Sequence, residues 1–341
     1  MDQVVPSRQT SHHRYPVADE TDAAAVRRVV GRYAEQLGAD AYTRGCAELV
    51  ATELATNLVR HGKPGGWMLV RRVPPAQVEL IAVDHGPGIA DLPAALGGQV
   101  GSPGGLGCGL AAVRRASSYF DVQSAPGRGT TVLSIVDVAD RRPAPDRPAP
   151  DRRTWGGVSI AVAEVCGDGW AVAELDHAIA VAVVDGLGHG AKASLASDAA
   201  LATFATAPAD LDGLVGRAND AMRNTRGAAL TACVIDRDRQ ELRYVGVGNV
   251  NGRVVSGPGE RSLICSMGTL GLKVVPPKVK LMTCPWPADG VLVLWTDGLS
   301  SRLELAAAPD LRAHDPGLVA AALHRDFARE RDDATVVVVR P

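Results

Sequence analysis

The chain has 341 residues, which is too long for most single hydrophobic cores and favours two domains. Its 36 Lys and Arg residues nearly balance 38 Asp and Glu residues, and the net charge of −2 argues against general attraction to nucleic acids or anionic membranes. The six cysteines form no C-x-x-C pair, the N-terminus lacks a signal-peptide run, and no apolar stretch reaches the roughly 18 residues that cross a bilayer. We therefore expect a soluble protein of the reducing cytoplasm.

Residues 1–139 combine helical and strand-like patterns. A helix capped near Asp19 and stopped at Gly38 is followed by a second helix that ends at Gly62. Later apolar patterns predict strands and one further helix. The strands are predicted at residues 67–73, 78–83 and 130–138, and the helix at residues 110–118, after a glycine-rich loop. This order predicts a mixed α/β domain.

Residues 140–153 read DRRPAPDRPAPDRR, in which RPAPD occurs twice in tandem. The segment holds four prolines, three aspartates, five arginines and no large apolar residue, so it cannot contribute to a core. We interpret it as a semi-rigid, extended linker between two domains.

Residues 154–341 contain mostly short apolar runs that are typical of β-strands. The runs lie at residues 158–165, 178–184, 229–235, 242–247, 291–296 and 335–339. The dipeptide Asn251-Gly252 predicts a type I′ hairpin turn. Helical patterns at residues 191–206 and 210–226 interrupt the strands, so we expect sheet covered by helices in this half.

Three motifs in the first half point to a nucleotide. In ELATNLVRHG, Glu53 and Asn57 are four residues apart and share one face of the second helix. In AVDHGPGIAD, Asp84 closes an apolar strand before a glycine-rich turn. In GSPGGLGCGL, four glycines lead into a helix, where backbone N–H groups can face phosphate oxygens. No GxxxxGK[ST] motif is present, which excludes the common alternative way of holding a triphosphate.

Together with GRGTTV at residues 127–132, this order resembles the GHKL (Bergerat-fold) ATPases, and within them the RsbT/RsbW-like anti-sigma-factor serine kinases. The resemblance covers residues 15–138. It implies that Glu53 is the general base, that Asn57 holds the Mg²⁺ that bridges the phosphates of ATP, and that Asp84 binds the adenine amino group. It implies further ATP contacts by Gly88, Gly105, Gly107, Gly109 and Thr130.

Phosphoryl transfer requires mostly that the reacting groups are positioned and that the charge of the phosphates is neutralised. A carboxylate base, a metal ligand with an oxygen donor and a row of backbone N–H groups can meet these requirements. The phosphate loop carries no lysine. Charge on the γ-phosphate would therefore be neutralised by Arg114, by Arg115 or by Mg²⁺ alone.

Aspartates of the second half adjoin apolar strands at four places. AVAVVDGLGHG places Asp185 at a strand end, and VLVLWTDGLS does the same for Asp297. EVCGDGW puts Asp168 after the strand that begins near residue 158, and RDDATVVVV puts Asp332 and Asp333 just before the last strand. The carboxylates meet at a single sheet edge if the last strand runs antiparallel to the others.

Convergence of these carboxylates would need compensating charge. Two like charges about 4 Å apart repel by roughly 4 kcal/mol at an effective dielectric constant near 20. Oxygen ligands suit Mg²⁺ or Mn²⁺ rather than zinc, and the sequence has no competing His/Cys cluster. The alternative is that each Asp-Gly pair is merely a turn.

The arrangement resembles the PPM-family metal-dependent serine/threonine phosphatases, specifically the RsbX/SpoIIE-like branch. GVGNVNGRV at residues 246–254 and CSMGTLGL at residues 265–272 add to this similarity, which covers residues 154–340. It implies an α-β-β-α sandwich in which Asp185 bridges two Mg²⁺ or Mn²⁺ ions and the Gly186 carbonyl is a ligand. The same resemblance implies that the site is completed by Asp168, Asp297 and Asp332, with Asp333 in support.

His189 and the substrate phosphate leave two questions open. His189 can protonate the leaving group, since its unperturbed pKa lies near neutrality, or cap the helix that follows. The branch lacks the N-terminal arginine with which longer PPM enzymes hold the substrate phosphate.

In the resembled families, both halves act on STAS-domain proteins, either anti-sigma factor antagonists or RsbS/RsbR-like proteins. The leading hypothesis is a bifunctional switch that phosphorylates and dephosphorylates such partners, with a sigma factor or another phosphatase downstream. The alternative is that residues 1–139 form a nucleotide-binding docking module and only residues 154–341 are catalytic.

Overall fold

The computed structural model describes residues 3–4, 11–63, 65–97, 109–139, 152–257, 259–306 and 308–341. The chain divides into two compact units. The N-terminal unit comprises residues 12–152, and the C-terminal unit comprises residues 153–341 together with residues 1–11. Most of the expected linker, residues 140–151, lies outside the described residues.

The first strand of the chain, β1 (Gln3–Val4), belongs to the C-terminal unit, and the next elements form the N-terminal unit. Its strands are β2 (His13–Val17), β3 (Gly66–Val73), β4 (Gln77–Asp84), β5 (Tyr119–Ser124) and β6 (Thr130–Asp137). Its helices are α1 (Glu20–Gln36), α2 (Ala41–His61), α3 (Leu92–Leu96) and α4 (Gly109–Ala116). The helices and strands predicted for this unit are confirmed. Strands β2 and β5 were not predicted, because their sequences mix polar and apolar residues without a clear strand pattern.

Local capping explains where the two long helices begin. The Asp19 side chain accepts hydrogen bonds from the backbone N–H groups of Thr21 and Asp22, at 2.8 and 3.0 Å. Asp40 accepts from the N–H of Thr43 at 2.9 Å and starts α2 in the same way. Each cap satisfies N–H groups that have no partner inside the helix.

An antiparallel sheet in the order β2-β3-β4-β6-β5 forms the other layer of the N-terminal unit. Val50, Leu54 and Leu58 on one side of α2 pack with Leu80 and Val132 of the sheet in a continuous apolar core. This packing leaves Glu53 and Asn57 on the neighbouring face of α2, at the border of the core, where both are half-buried.

The C-terminal unit has two sheets and helices on their outer faces. Its remaining strands are β7 (Trp155–Ile160), β8 (Asp168–Glu174), β9 (Ala178–Gly186), β10 (Ala228–Asp236), β11 (Glu241–Val247), β12 (Asn251–Ser256), β13 (Gly259–Ser262), β14 (Met282–Pro285), β15 (Val291–Trp295) and β16 (Ala334–Val339). Its helices are α5 (Ala191–Thr206), α6 (Leu211–Ala221), α7 (Pro309–Arg312) and α8 (Pro316–Phe327).

One sheet has the order β1-β8-β9-β10-β11-β14 and the other β13-β12-β15-β16-β7, with all neighbouring strands antiparallel. Val181 and Val183 of β9 pack between the sheets, whereas Ala180 and Ala182 face the helix layer that contains α5. The alternation of Ala and Val therefore reflects two different neighbours, and α8 covers the second sheet. The expected α-β-β-α sandwich is confirmed.

The expected hairpin turn at Asn251-Gly252 is wrong. Both residues lie inside β12, where Gly252 pairs with Leu294 of β15. A Cβ on Gly252 would lie 2.7 Å from Leu263 and 2.8 Å from Leu294. Glycine is therefore needed at this position for close packing. No hairpin forms here, because the chain changes sheets between β11 and β12 instead of folding back on itself.

Candidate functional site

Glu53 and Asn57 lie one turn apart on α2, and both side chains are half-buried. Neither takes part in a hydrogen bond or ion pair within the described part of the chain. The helix ends close to Asp84, since a Cβ on Gly62 would lie 3.1 Å from the Asp84 Cβ. The packing of α2 thus places these two polar residues in the turns that lead to Asp84.

Asp84 is a buried carboxylate whose position is set by backbone donors. Its Oδ1 accepts hydrogen bonds from the N–H of Gly86 at 2.7 Å and from the N–H of Thr130 at 3.1 Å. A Cβ on Gly86 would collide with the His61 carbonyl, and one on Gly129 with the Asp84 carbonyl. Glycines therefore allow several backbone segments to pack around this single carboxylate.

Gly88 and Thr130 belong to the segments that surround Asp84, residues 84–89 and 124–130, which we call the crevice. Gly88 has φ 75°, and a Cβ there would collide with the Ala125 carbonyl, so the position requires glycine. The Thr130 hydroxyl shares a 2.9 Å hydrogen bond with Ser124, which also accepts from the N–H of Ile89 at 2.8 Å. Ser124 connects both sides of the crevice and was not predicted.

The glycine-rich phosphate loop lies largely outside the described residues. Gly105 and Gly107 fall in this part, so their positions stay predictions. Gly109 is the first residue of α4, and no group of the described residues lies within 4 Å of its Cβ position.

Five aspartates gather in the C-terminal unit, where strands from both sheets meet. Asp168 and Asp185 are directly opposed in the pairing of β8 with β9. Asp297 follows β15, and Asp332 and Asp333 precede β16, in the other sheet. The expectation of a single sheet edge is therefore wrong, because both layers of the sandwich contribute.

Asp168 does not lie at the end of the strand that begins near residue 158, as was expected. That strand, β7, ends at Ile160, and Asp168 is the first residue of β8. The Thr296 hydroxyl donates to Asp168 Oδ2 at 2.7 Å and accepts from the N–H of Thr335 at 3.0 Å. The buried Thr296 thus links the first residue of β8 to the other sheet.

Burial and mutual repulsion raise the pKa values of two of these aspartates. Burial, followed by the nearby charges of Asp297, Asp332 and Asp333, raises the pKa of Asp185 to about 7. Burial and the charge of Asp185 also raise the pKa of Asp168 well above its ordinary value. No three His, Cys, Asp or Glu side chains among the described residues enclose a single point as ligands of one ion would.

Asp333 is engaged by the backbone of the loop between β7 and β8. It accepts hydrogen bonds from the N–H of Val162 at 2.7 Å and from the N–H of Gly167 at 2.5 Å. The Ser197 hydroxyl of α5 donates to the Gly167 carbonyl. Asp333 therefore fixes the chain that leads into Asp168.

The loop after Asp185 is shaped by close packing. A Cβ on Gly186 would collide with the Ala193 carbonyl, and Gly188 has φ 84°. Gly190 is the N-cap of α5, and no side chain caps this helix. The capping role considered for His189 is therefore wrong, and its side chain is exposed instead.

Two further polar residues, one bonded to Asp297 and one next to the loop after Asp185, were missed in the sequence. Asn249 Nδ2 donates to Asp297 Oδ2 at 2.7 Å. Arg226 Nη1 lies 3.0 Å from the Cβ position of Gly188, and Arg226 has no acidic partner among the described residues. Only the position of Asn249 after an apolar strand offered a signal.

Comparisons with known proteins agree with this division of the chain. Residues 17–136 match the family model of the histidine kinase-like ATPase domain, and residues 175–341 match that of stage II sporulation protein E (SpoIIE). The phosphoserine phosphatase RsbX of Bacillus subtilis (strain 168) is 32% identical over 153 residues, which are 44% of this chain and 72% of RsbX. The serine/threonine-protein kinase RsbT of the same organism is 30% identical over 121 residues, 35% of this chain and 91% of RsbT.

The chain combines a domain of the histidine kinase-like ATPase family with a domain of the SpoIIE family. Its C-terminal unit is a SpoIIE-type serine/threonine phosphatase domain, and its N-terminal unit is a kinase-like ATPase domain. A chain of the solved structure "The bacterial stressosome: a modular system that has been adapted to control secondary messenger signaling" is also similar. It has 25% identity and a TM-score of 0.50, with coverage of 55% of this chain and 98% of that chain. No helix among the described residues is long and apolar enough to span a membrane.

Proposed function

We propose that the chain is a bifunctional regulator whose N-terminal unit phosphorylates, and whose C-terminal unit dephosphorylates, STAS-domain proteins. The observation that carries the proposal is the meeting of aspartates from both sheets around Asp185, on one chain with an RsbT-like ATPase domain. The resemblance to RsbT and RsbX supplies the substrate class.

In the phosphatase unit, Asp168, Asp185, Asp297, Asp332 and the Gly186 carbonyl would hold two Mg²⁺ or Mn²⁺ ions. The raised pKa of Asp185 fits this role, because divalent ions remove the repulsion that causes it. A shared pair of ions does not require three carboxylates around one point, since Mg²⁺ commonly takes one or two carboxylates and keeps several waters. When bound, the ions would supply an activated water for attack on a phosphoserine or phosphothreonine.

Arg226 is our candidate for holding the substrate phosphate. Its guanidinium lies against Gly188, three residues after Asp185, and Gly188 has no side chain to displace it. The Leu187 N–H donates to the Gly227 carbonyl at 2.9 Å, which ties the two segments together. A guanidinium without an acidic partner can make two parallel hydrogen bonds to a phosphate.

In the ATPase unit, Glu53 would act as general base toward a serine hydroxyl and Asn57 would hold Mg²⁺. Asp84 would read the adenine amino group, in the crevice that Gly88 and Thr130 line. The structure of α2 supports these roles, because Glu53 and Asn57 share one face of the helix and the helix ends next to Asp84.

Joining opposed activities raises the local concentration of both at a shared partner, to the millimolar range for short linkers. Without control the pair would consume ATP continuously. We infer that an input signal biases one of the units.

The decisive experiment incubates the full-length protein with STAS-domain proteins from the same genome and labelled ATP, with and without Mn²⁺. We expect label to enter one partner with Mg-ATP and to leave it when Mn²⁺ is added. An Asn57→Ala variant should lose labelling of the partner but keep hydrolysis of a partner phosphorylated in advance.

If labelling persists undiminished in Asn57→Ala, the kinase assignment fails. If the wild-type protein binds ATP and the partner but never transfers label, the N-terminal unit is a docking module and only the phosphatase is catalytic.

A further inference from the structure

One irregular segment of the phosphatase unit exposes large apolar side chains. This segment, residues 264–275, lies between β13 and β14, and we call it the apolar loop. Its exposed side chains are Ile264 (72%), Met267 (96%), Leu272 (57%), Val274 (74%) and Val275 (74%). Large exposed apolar side chains that are concentrated in one segment are typical of interaction sites on soluble proteins.

The start and the middle of the apolar loop are bound to the first sheet, although the loop has no helix or strand. The Ser266 N–H donates to the Gly246 carbonyl at 2.8 Å. Leu270 exchanges two backbone hydrogen bonds with Ala228, at 2.9 and 3.1 Å. The backbone below the exposed side chains is therefore held in place.

A buried asparagine holds the end of the apolar loop. Asn219 of α6 accepts from the Gly271 N–H at 2.9 Å and donates to the Lys273 carbonyl at 3.0 Å. Because the backbone is already ordered, a partner that docks here loses little of its affinity to ordering the loop.

The apolar loop adjoins the aspartates. Ala228, which bonds with Leu270, pairs on its other side with Gly186. Leu187, 51% exposed, is bonded to Gly227, whose Cβ position lies 3.3 Å from Leu272. The apolar surface thus extends to the segment that carries the proposed metal ligands.

The chain segment that contains the apolar loop carries charged side chains of one sign only. Residues 261–285 contain Arg261, Lys273, Lys278 and Lys280 but no Asp or Glu. The complementary partner therefore carries acidic side chains around apolar ones.

We propose that the apolar loop and Leu187 dock the phosphorylated protein substrate through an acidic and apolar surface next to its phosphoserine. This inference rests on the proposed phosphatase function. The lysines attract the acidic flank, and the apolar side chains of the loop become buried against the substrate when its phosphate reaches Asp185.

The test compares two phosphoserine peptides of equal length with p-nitrophenyl phosphate, which is too small to reach the apolar loop. One peptide carries Leu and Glu around the phosphoserine, and the other carries Ser and Gln at the same positions. For the wild-type full-length protein with Mn²⁺, we expect kcat/KM to favour the Leu/Glu peptide by about tenfold, through KM. This preference should weaken between 50 and 500 mM NaCl, because salt screens exposed charges.

A Val274→Ser/Val275→Ser double variant should lose most of this preference, as a fall of about tenfold in the ratio of Leu/Glu peptide to p-nitrophenyl phosphate hydrolysis. The matched control is Tyr42→Ser/Leu49→Ser, which removes two exposed apolar side chains from α2. It should keep the wild-type ratio.

The possible outcomes distinguish a failure of the docking surface from a failure of the proposed phosphatase function. Hydrolysis of p-nitrophenyl phosphate with equal use of both peptides, or a preference that survives in the double variant, overturns the docking surface alone. Absence of Mn²⁺-dependent hydrolysis of every substrate overturns the proposed function, and the docking surface with it.

Discussion

The two units use a strand-end aspartate in opposite ways. In the ATPase unit, Asp84 is a single carboxylate whose Oδ1 accepts backbone hydrogen bonds from Gly86 and Thr130. In the phosphatase unit, Asp185 faces other carboxylates, and their charges together with burial raise its pKa to about 7. Both aspartates follow an apolar run and come one or two positions before a glycine, so the sequence context alone does not distinguish them.

The difference shows what each site still requires. The protein itself supplies donors to Asp84, so this carboxylate stabilises the fold and presents a fixed acceptor to a ligand. Among the described residues, Asp185 has acidic neighbours and no ion pair with a basic side chain, and the proposed divalent ions would balance this charge. Removing the two negative charges should therefore change stability in opposite directions.

The largest effect is expected for Asp185→Asn. Loss of a bridging ligand should lower Mn²⁺-dependent phosphatase activity by about 1,000-fold. In EDTA, the same variant should unfold at a higher temperature than the wild-type protein, because one of several repelling charges is gone. Steady-state hydrolysis and calorimetry measure the two effects.

Asp212→Asn is the control, because Asp212 is exposed in the first turn of α6. It should keep full activity. Retained activity in Asp185→Asn would refute the metal site.

Asp84→Ala should destabilise the ATPase unit. Two backbone N–H groups lose their acceptor, at about 1–3 kcal/mol each, so the free energy of unfolding should fall by about 2–6 kcal/mol. ATP binding should also be lost. Urea unfolding and ATP titration by calorimetry measure both effects.

Asp91→Ala removes a single exposed bond, from Asp91 to the Ala94 N–H, and should cost less than half as much. Equal stability of the Asp84→Ala and wild-type proteins would contradict the comparison between the two aspartates.

Arg226→Ala should lower kcat/KM for phosphorylated substrates by about tenfold to 100-fold, as expected for lost hydrogen bonds to a charged group. Arg226→Lys should recover part of this activity because it keeps the charge. Arg239→Ala, at the other end of β10 beside Asp236, should have no effect. An unaffected Arg226→Ala protein would exclude this arginine as the phosphate anchor.

The smallest effect is expected for Asn249→Ala. Asn249 orients Asp297 without occupying a ligand position of its own, so activity should fall by about tenfold at low Mn²⁺ and recover at high Mn²⁺. Asn224→Ala, in an exposed turn, is the control. A loss that Mn²⁺ does not relieve would show that Asn249 acts on something other than the metal site.

Local signals in the sequence were sufficient for part of this picture. The cap at Asp19 involves residues only two or three positions apart, so composition and spacing predict it, whereas the cap at Asp40 was not predicted. The strand-end positions of Asp84 and Asp185 are also local. Asn251-Gly252 has an equally strong local signal, but the prediction was wrong because its neighbouring strands belong to different sheets.

Other residues near the proposed phosphatase site had little or no distinctive local pattern. Thr296, Asn249 and Arg226 gain their positions through contacts with residues distant in the chain, such as the bond from Thr296 to Asp168 across 128 positions. Polar residues of this kind occur in many loops without any role at a site.

The sequence by itself determined the alternation of small and large apolar residues in the strands, the ends of the long helices and the presence of aspartates beside apolar strands. The tertiary structure alone decided that β8 pairs with β9 so that Asp168 opposes Asp185, and that Asp297 and Asp332 approach from the second sheet. The physical reason is that strand register and sheet packing depend on the summed burial of many side chains, which no short stretch of sequence contains.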